Sequence, residues 1–243
     1  MANLTAIAKD LAPTGTLRAS INIGNPILAQ GTLDVPTGPT VDISHEVARR
    51  LGLPLQLIAF NAARKSFEAM NEGRADICYL AIEPVRAAEV SFTAPYVLIE
   101  GVFAVPVDSP IKTVEDADKP GVRIGVNEGS AYHLYLSRTL KHATCVFGDG
   151  DGQDVFRANK LEAAAGVRGP VLAYVAKNPD LRVIPERFMV IQQAVGIKKG
   201  KSPETVQWLS DLVGELRASG FVAQALERAG QDPALAAPPD ATS

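Results

Sequence analysis

Three observations predict an α/β fold in two units. Short apolar runs alternate with helical patterns almost throughout the chain, the rhythm of strand–helix–strand units around a largely parallel sheet. A polar stretch over residues 108–120 divides that alternation into two series. Two long apolar strands, 100–107 and 189–197, flank the second series.

The elements follow in order. Residues 17–23 read as a strand, broken by Gly24, Asn25 and Pro26. Residues 40–51 read as a helix with Ile43, Val47 and Leu51 on one face and Gly52 past its end. A strand at 55–60, a helix at 63–72 closed by Gly73 and a strand at 76–81 complete a βαβαβ run. The second series has strands at 122–127, 144–147, 163–167 and 182–184, with helices at 131–140, 154–161 and 170–177. A last helix opens on Ser202 as N-cap with Pro203 in its first turn. Its apolar stripe runs from Trp208 to Leu216 and is interrupted at Ser219-Gly220; residues 233–243 read as a frayed tail. If the chain leaves the first series through 100–107 and returns through 189–197, those strands are a double hinge. The expected domains are then 1–104 with 195–243, and 105–194, with a ligand cleft between them, where open α/β sheets bind.

Composition excludes several classes of function. The 243 residues are 47% hydrophobic and 21% charged, values of an ordinary packed protein rather than a disordered one. A net charge of −3, with no basic stripe interleaved with aromatics, argues against nucleic acid as a partner. No run approaches the ~20 apolar residues of a membrane span. Lys9 and Asp10 stand where a secretory leader needs an unbroken apolar stretch. The sequence as written therefore reads as cytoplasmic, unless a leader has been removed. Cys78 and Cys145 each lie in apolar surroundings and read as buried free thiols.

Several short stretches together carry a family resemblance. They are Gly15-Thr16-Leu17-Arg18, Val41-Asp42-Ile43, Glu72-Gly73-Arg74-Ala75-Asp76-Ile77, Pro84-Val85-Arg86-Ala87 and Val90-Ser91-Phe92-Thr93-Ala94-Pro95-Tyr96, with residues 122–130 and 194–200 in the second half. Their order resembles the family 3 extracellular solute-binding proteins, the amino-acid receptors of bacterial ABC importers. The resemblance runs from residue 15 to about 230. It implies the two-domain, type II periplasmic-binding-protein (Venus-flytrap) fold, closure on a small ligand, a permease as partner and a periplasmic location. It also implies that Arg86 grips a ligand carboxylate, for which a planar guanidinium fork is suited, and that Ser130, with Gly129, makes a second carboxylate contact at a helix start.

The sequence departs from that pattern in places. Arg168 stands where the family's amino-acid binders carry an aspartate for the ligand's ammonium, and a cation cannot hold an ammonium. Glu83 replaces a common threonine, the stretch 76–86 is about two residues short, and Ala63 replaces a sandwiching aromatic for which Phe60 is near enough to substitute. The expected ligand is therefore an organic acid or amino-acid derivative, with two acidic groups if Arg86 and Arg168 both face it. Asn25 completes the candidate set. The alternative is an enzyme: cyclohexadienyl dehydratases share this family, and Glu83 or Glu128 could serve as the general acid on a prephenate-like dicarboxylate.

Other motifs fail. The run 148–152 looks like a calcium loop, but Gln153, Asp154 and Lys160 break the pattern and it reads as a turn. His45, His133 and His142 form no ligand-spaced cluster, so no metal is expected. No Walker, dinucleotide or Gly-x-Ser-x-Gly frame occurs, and no cofactor is implied.

Overall fold

A computed structural model describes residues 3–148 and 150–241. They fall into two compact units, one of residues up to Leu98 together with those from Gln192 onward, the other Ile99–Ile191. The chain passes from the first to the second within β7 (Val97–Pro106) and returns within β12 (Met189–Lys198).

The first unit begins with helix α1 (Leu4–Leu11) and strand β1 (Leu17–Asn22), followed by a small hairpin, β2 (Gln30–Gly31) and β3 (Pro36–Thr37). Then come α2 (Pro39–Leu51), β4 (Leu55–Phe60), α3 (Ala63–Asn71), β5 (Ile77–Ala81), the short α4 (Pro84–Ala87) and β6 (Val90–Phe92). β1 lies parallel between β4 and β5, and β12 runs antiparallel to both β5 and β6. Strands buried on both faces explain the continuous apolar runs: every residue of β5 is buried. α3 packs on one side of β1, where the hydroxyls of Ser20 and Ser66 meet at 2.7 Å. α2 ends as its sequence foretells, on Gly52 in the left-handed conformation at φ 65°.

The second unit holds β8 (Arg123–Asn127), α5 (Ala131–Thr139), β9 (Thr144–Gly148), α6 (Gly152–Asn159), β10 (Ala163–Val167), α7 (Arg168–Ala176) and β11 (Leu181–Val183). β10, β8 and β9 are parallel neighbours, and β7 is antiparallel to β10 and β11. Val102, Ala104, Phe156, Leu161, Ala164 and Val171 are among its core residues. α6 lies unusually close to the sheet. A Cβ on Gly152 would sit 2.2 Å from the Ala165 carbonyl oxygen, and one on Gly125 would sit 2.5 Å from the Gly152 carbonyl oxygen. Only glycines permit that approach.

The chain closes through α8 (Pro203–Ala218) and α9 (Phe221–Arg228). Ser202 caps α8 by accepting from the Thr205 N–H at 3.2 Å, with Pro203 at the first turn, as its sequence predicts. Two readings need correcting, the frayed tail and the burial of Cys145. The tail is not frayed up to Ala241: the Ala237 N–H donates to the Tyr96 carbonyl at 2.9 Å, and Arg217 Nη2 donates to the carbonyls of Pro238 and of Ala241. A buried arginine there replaces the apolar periodicity that a sequence reading looks for. α1 is a formed helix, with Ile7 and Leu11 buried and packing on α8. Cys78 is a fully buried thiol as expected, but Cys145 is only half-buried. The run 148–152 includes Asp149, which lies outside the described residues; Asp151 opens α6 with a capping box to Asp154.

Candidate solute site

Parallel strands direct ligands to their C-terminal ends, and the candidate residues of each unit gather there. In the first unit, Asn22 and Phe60 are register partners at the ends of β1 and β4. The loop after β1 crosses the loop after β4 so closely that a Cβ on Gly24 would be 2.5 Å from the Asn61 carbonyl oxygen. Half-buried Asn25 organises the next turn: its Oδ1 accepts from the Ile27 N–H at 3.3 Å, and its carbonyl accepts from Leu28 and Ala29. The Phe60 ring is half-buried, with the Arg74 guanidinium 5.6 Å from its centroid. One neighbour of that ring is thus a cation, which a π-face attracts.

β5 ends beside the pair that matters most. Glu83 stands at the N-cap of α4 without capping it through its side chain, and its carbonyl accepts from the N–H groups of Arg86 and Ala87. Glu83 is 3% exposed and Arg86 2%. Arg86 Nη1 donates to the Ala81 carbonyl at 3.2 Å. Burial lowers the Arg86 guanidinium to about 10, against the pull of the Glu83 charge, which favours the protonated form. The Cys78 thiol is pushed up to about 12 by burial, with the Arg86 charge opposing.

In the second unit, β8 runs into Gly129 at φ 71° and Ser130, the N-cap of α5. The Ser130 Oγ accepts from the His133 N–H at 3.1 Å. The Gly129 N–H donates to His133 Nδ1 at 2.9 Å, which requires a neutral ring with its proton on Nε2. Burial lowers the His133 pKa, opposed by the charge of Glu128. Asn127 Nδ2 donates to Asp151 Oδ1 and to the Gly150 carbonyl, both at 3.2 Å. Burial raises the Asp151 carboxyl despite that hydrogen bond.

Arg168 is the first residue of α7. Its Nε pairs with Glu100 of β7, and its Nη2 donates to the Pro185 carbonyl at 2.9 Å. Arg187 Nη1 donates to the other Glu100 oxygen at 2.7 Å. The Arg187 hydrogen bond, supported by Arg168, holds Glu100 below the usual carboxylate range against the effect of burial. Arg168 therefore does not stand as an isolated cation, and its carboxylate partner is neither Glu83 nor Glu128.

Sequence reasoning missed Glu100, because nothing local links it to a residue 68 positions away. It considered His133 only as a metal ligand, although a histidine four residues after a glycine and three after a capping serine is a readable local signal. Among the described residues no cluster of His, Cys, Asp and Glu suits a metal ion, and no helix is long and apolar enough to cross a membrane.

Solved structures share this fold. A mutant of ArgBP from T. maritima is 23% identical, with 92% of this chain and 98% of that one covered at a TM-score of 0.73. The cysteine-binding protein of Campylobacter jejuni is 22% identical, with coverages of 93% and 92% and a TM-score of 0.74. An ancestral amino-acid-binding protein, described as a precursor of cyclohexadienyl dehydratase, is 23% identical, with coverages of 90% and 97% and a TM-score of 0.71. No curated protein matches in sequence. Residues 25–231 match the bacterial extracellular solute-binding proteins, family 3, and the chain belongs to that family.

Proposed function

We propose that this solute-binding protein takes a small carboxylate-bearing molecule, an organic acid or amino-acid derivative, for ABC-type transport or sensing. The observation that carries the reading is Arg86. A guanidinium 2% exposed, at the end of a parallel strand, costs folding energy and needs a functional reason. In this proposal Arg86 pairs the carboxylate. Ser130 and the Gly129 backbone supply a second contact, and Glu83 accepts from a hydroxyl or amine. Phe60 and Asn25 shape the rest. Arg168 and Arg187 against one Glu100 leave that cluster one positive charge in excess, which supports a solute with a second acidic or strongly accepting group. Because Glu100 already offsets Arg168, that preference is modest.

A thermal-shift panel of L-arginine, L-lysine, L-cysteine, L-glutamate, succinate, 2-oxoglutarate and prephenate tests this. Carboxylates with two acidic groups should stabilise most, and Arg86→Ala should weaken the tightest binder at least about tenfold. Stabilisation by L-arginine and L-lysine with none from the dicarboxylates would overturn the acidic preference. Unchanged affinity in Arg86→Ala would remove the anchor. Formation of phenylpyruvate from prephenate would replace receptor with lyase.

A further inference from the structure

We infer that Gln153 is a solute-reading residue of the second unit, taking a hydroxyl, carbonyl or carboxamide group of the bound molecule. This rests on the binding function proposed above and adds a residue to it. Gln153 is the second residue of α6 and is 6% exposed. Its carboxamide makes no hydrogen bond to any described residue. The carboxamide is not among the side-chain polar atoms shut off from solvent without a partner, so water reaches it although the residue as a whole is buried, and a solute group can replace that water.

Its position puts the carboxamide at the strand end where the second unit's candidate residues lie. A Cβ on Gly166 would lie 3.0 Å from Gln153 Nε2 and 2.7 Å from Val171 Cγ2. The carboxamide thus lies against the backbone near the C-terminal end of β10, two residues before Arg168, in space that any side chain at position 166 would take. The close approach of Gly152 to the Ala165 carbonyl holds the helix start, and Gln153 with it, against this edge. Polar groups at the same strand ends and helix start are engaged with one another: Asn127 with Asp151, Asp151 with Asp154, and Arg168 with Glu100. Gln153 offers a donor and an acceptor on one uncharged group. It therefore selects by hydrogen bonding where the arginines select by charge.

The test is Gln153→Met, which keeps the length and removes the polar group. Without solute, the variant should melt close to the temperature of the unaltered protein, because the carboxamide makes no hydrogen bond within the described protein for the fold to lose. With each solute of the panel above that the unaltered protein binds, calorimetry should show affinity weakened about three- to tenfold, the range of one neutral hydrogen bond. Unchanged affinity overturns the inference and leaves the receptor reading standing. So does a melting temperature lower by more than about 5 °C without solute, since that marks Gln153 as a structural group. If the unaltered protein binds no solute of the panel, the receptor reading for carboxylates falls and the role of Gln153 falls with it.

Discussion

Replacing Arg86 by Met tests how the buried pair of the first unit is balanced. Burial lowers the guanidinium from its ordinary value to about 10, which corresponds to about 3 kcal/mol spent on burying the charge, at about 1.4 kcal/mol for each tenfold change in proton affinity. The substitution recovers that cost. It also leaves the Glu83 carboxylate, 3% exposed, without the cation beside it, and breaking a buried pair from one side costs ~3–5 kcal/mol net. The second effect wins, so Arg86→Met should melt about 6–20 °C lower, at about 2–4 °C per kcal/mol for a chain of this size. Adding Glu83→Gln removes the stranded charge and should restore most of the loss. Thermal unfolding of the two single variants and the double variant measures this coupling. The restored double variant also separates folding from binding, since it should be stable and still fail to bind a carboxylate. A single Arg86→Met variant melting with the unaltered protein would show that Glu83 does not depend on Arg86, and the reasoning would be wrong.

Three further outcomes are expected. Gly152→Ala places a methyl 2.2 Å from the Ala165 oxygen at the first residue of α6, where little helix propensity is gained; overpacking at ~1–3 kcal/mol should leave it about 2–12 °C less stable by calorimetry. Arg217→Met removes the donor to the Pro238 and Ala241 carbonyls, so hydrogen exchange at the Ala237 amide should accelerate at least about tenfold while the β5 amides stay protected. The lowered His133 pKa makes its neutral form stabilising. That contribution is complete above the ordinary histidine value of about 6.5 and is lost as pH falls from there through the folded value, because the unfolded chain takes the proton first. The stability difference between the unaltered protein and His133→Gln, followed by denaturant titration from pH 8 to pH 5, should shrink on acidification, and growth would refute the sign.

Much of the fold was legible because it is written locally. The alternation of periods, the Gly52 stop after α2 and the Ser202-Pro203 start of α8 each depend on a handful of adjacent residues. What escaped is long-range or polar. The end of the chain is ordered by hydrogen bonds from Arg217, more than 20 residues earlier, and carries no periodic signature. α1 is only 8 residues long, and its two buried side chains are a thin signal. For the candidate site, residue type and order were visible, whereas partnership was not. The sequence offers Arg168 as a cation, and only the fold brings Glu100 and Arg187 to it.

That difference in partnership separates two arginines that look alike in the sequence. Arg168 is 31% exposed and Glu100 30%, so water already screens the pair and it contributes about 0–1 kcal/mol. In the proposed site a solute oxygen takes the place of Glu100 at little cost, and a substitution at position 168 should then change which solutes bind far more than how firmly the chain folds. Arg86 is almost fully buried beside a buried carboxylate, where loss of either charge is expensive. Variation at position 86 is therefore constrained by folding as well as by binding. Under the proposed binding function, specificity is free to change at Arg168 and at uncharged Gln153, while Arg86 stays fixed by the stability of the unit that contains it.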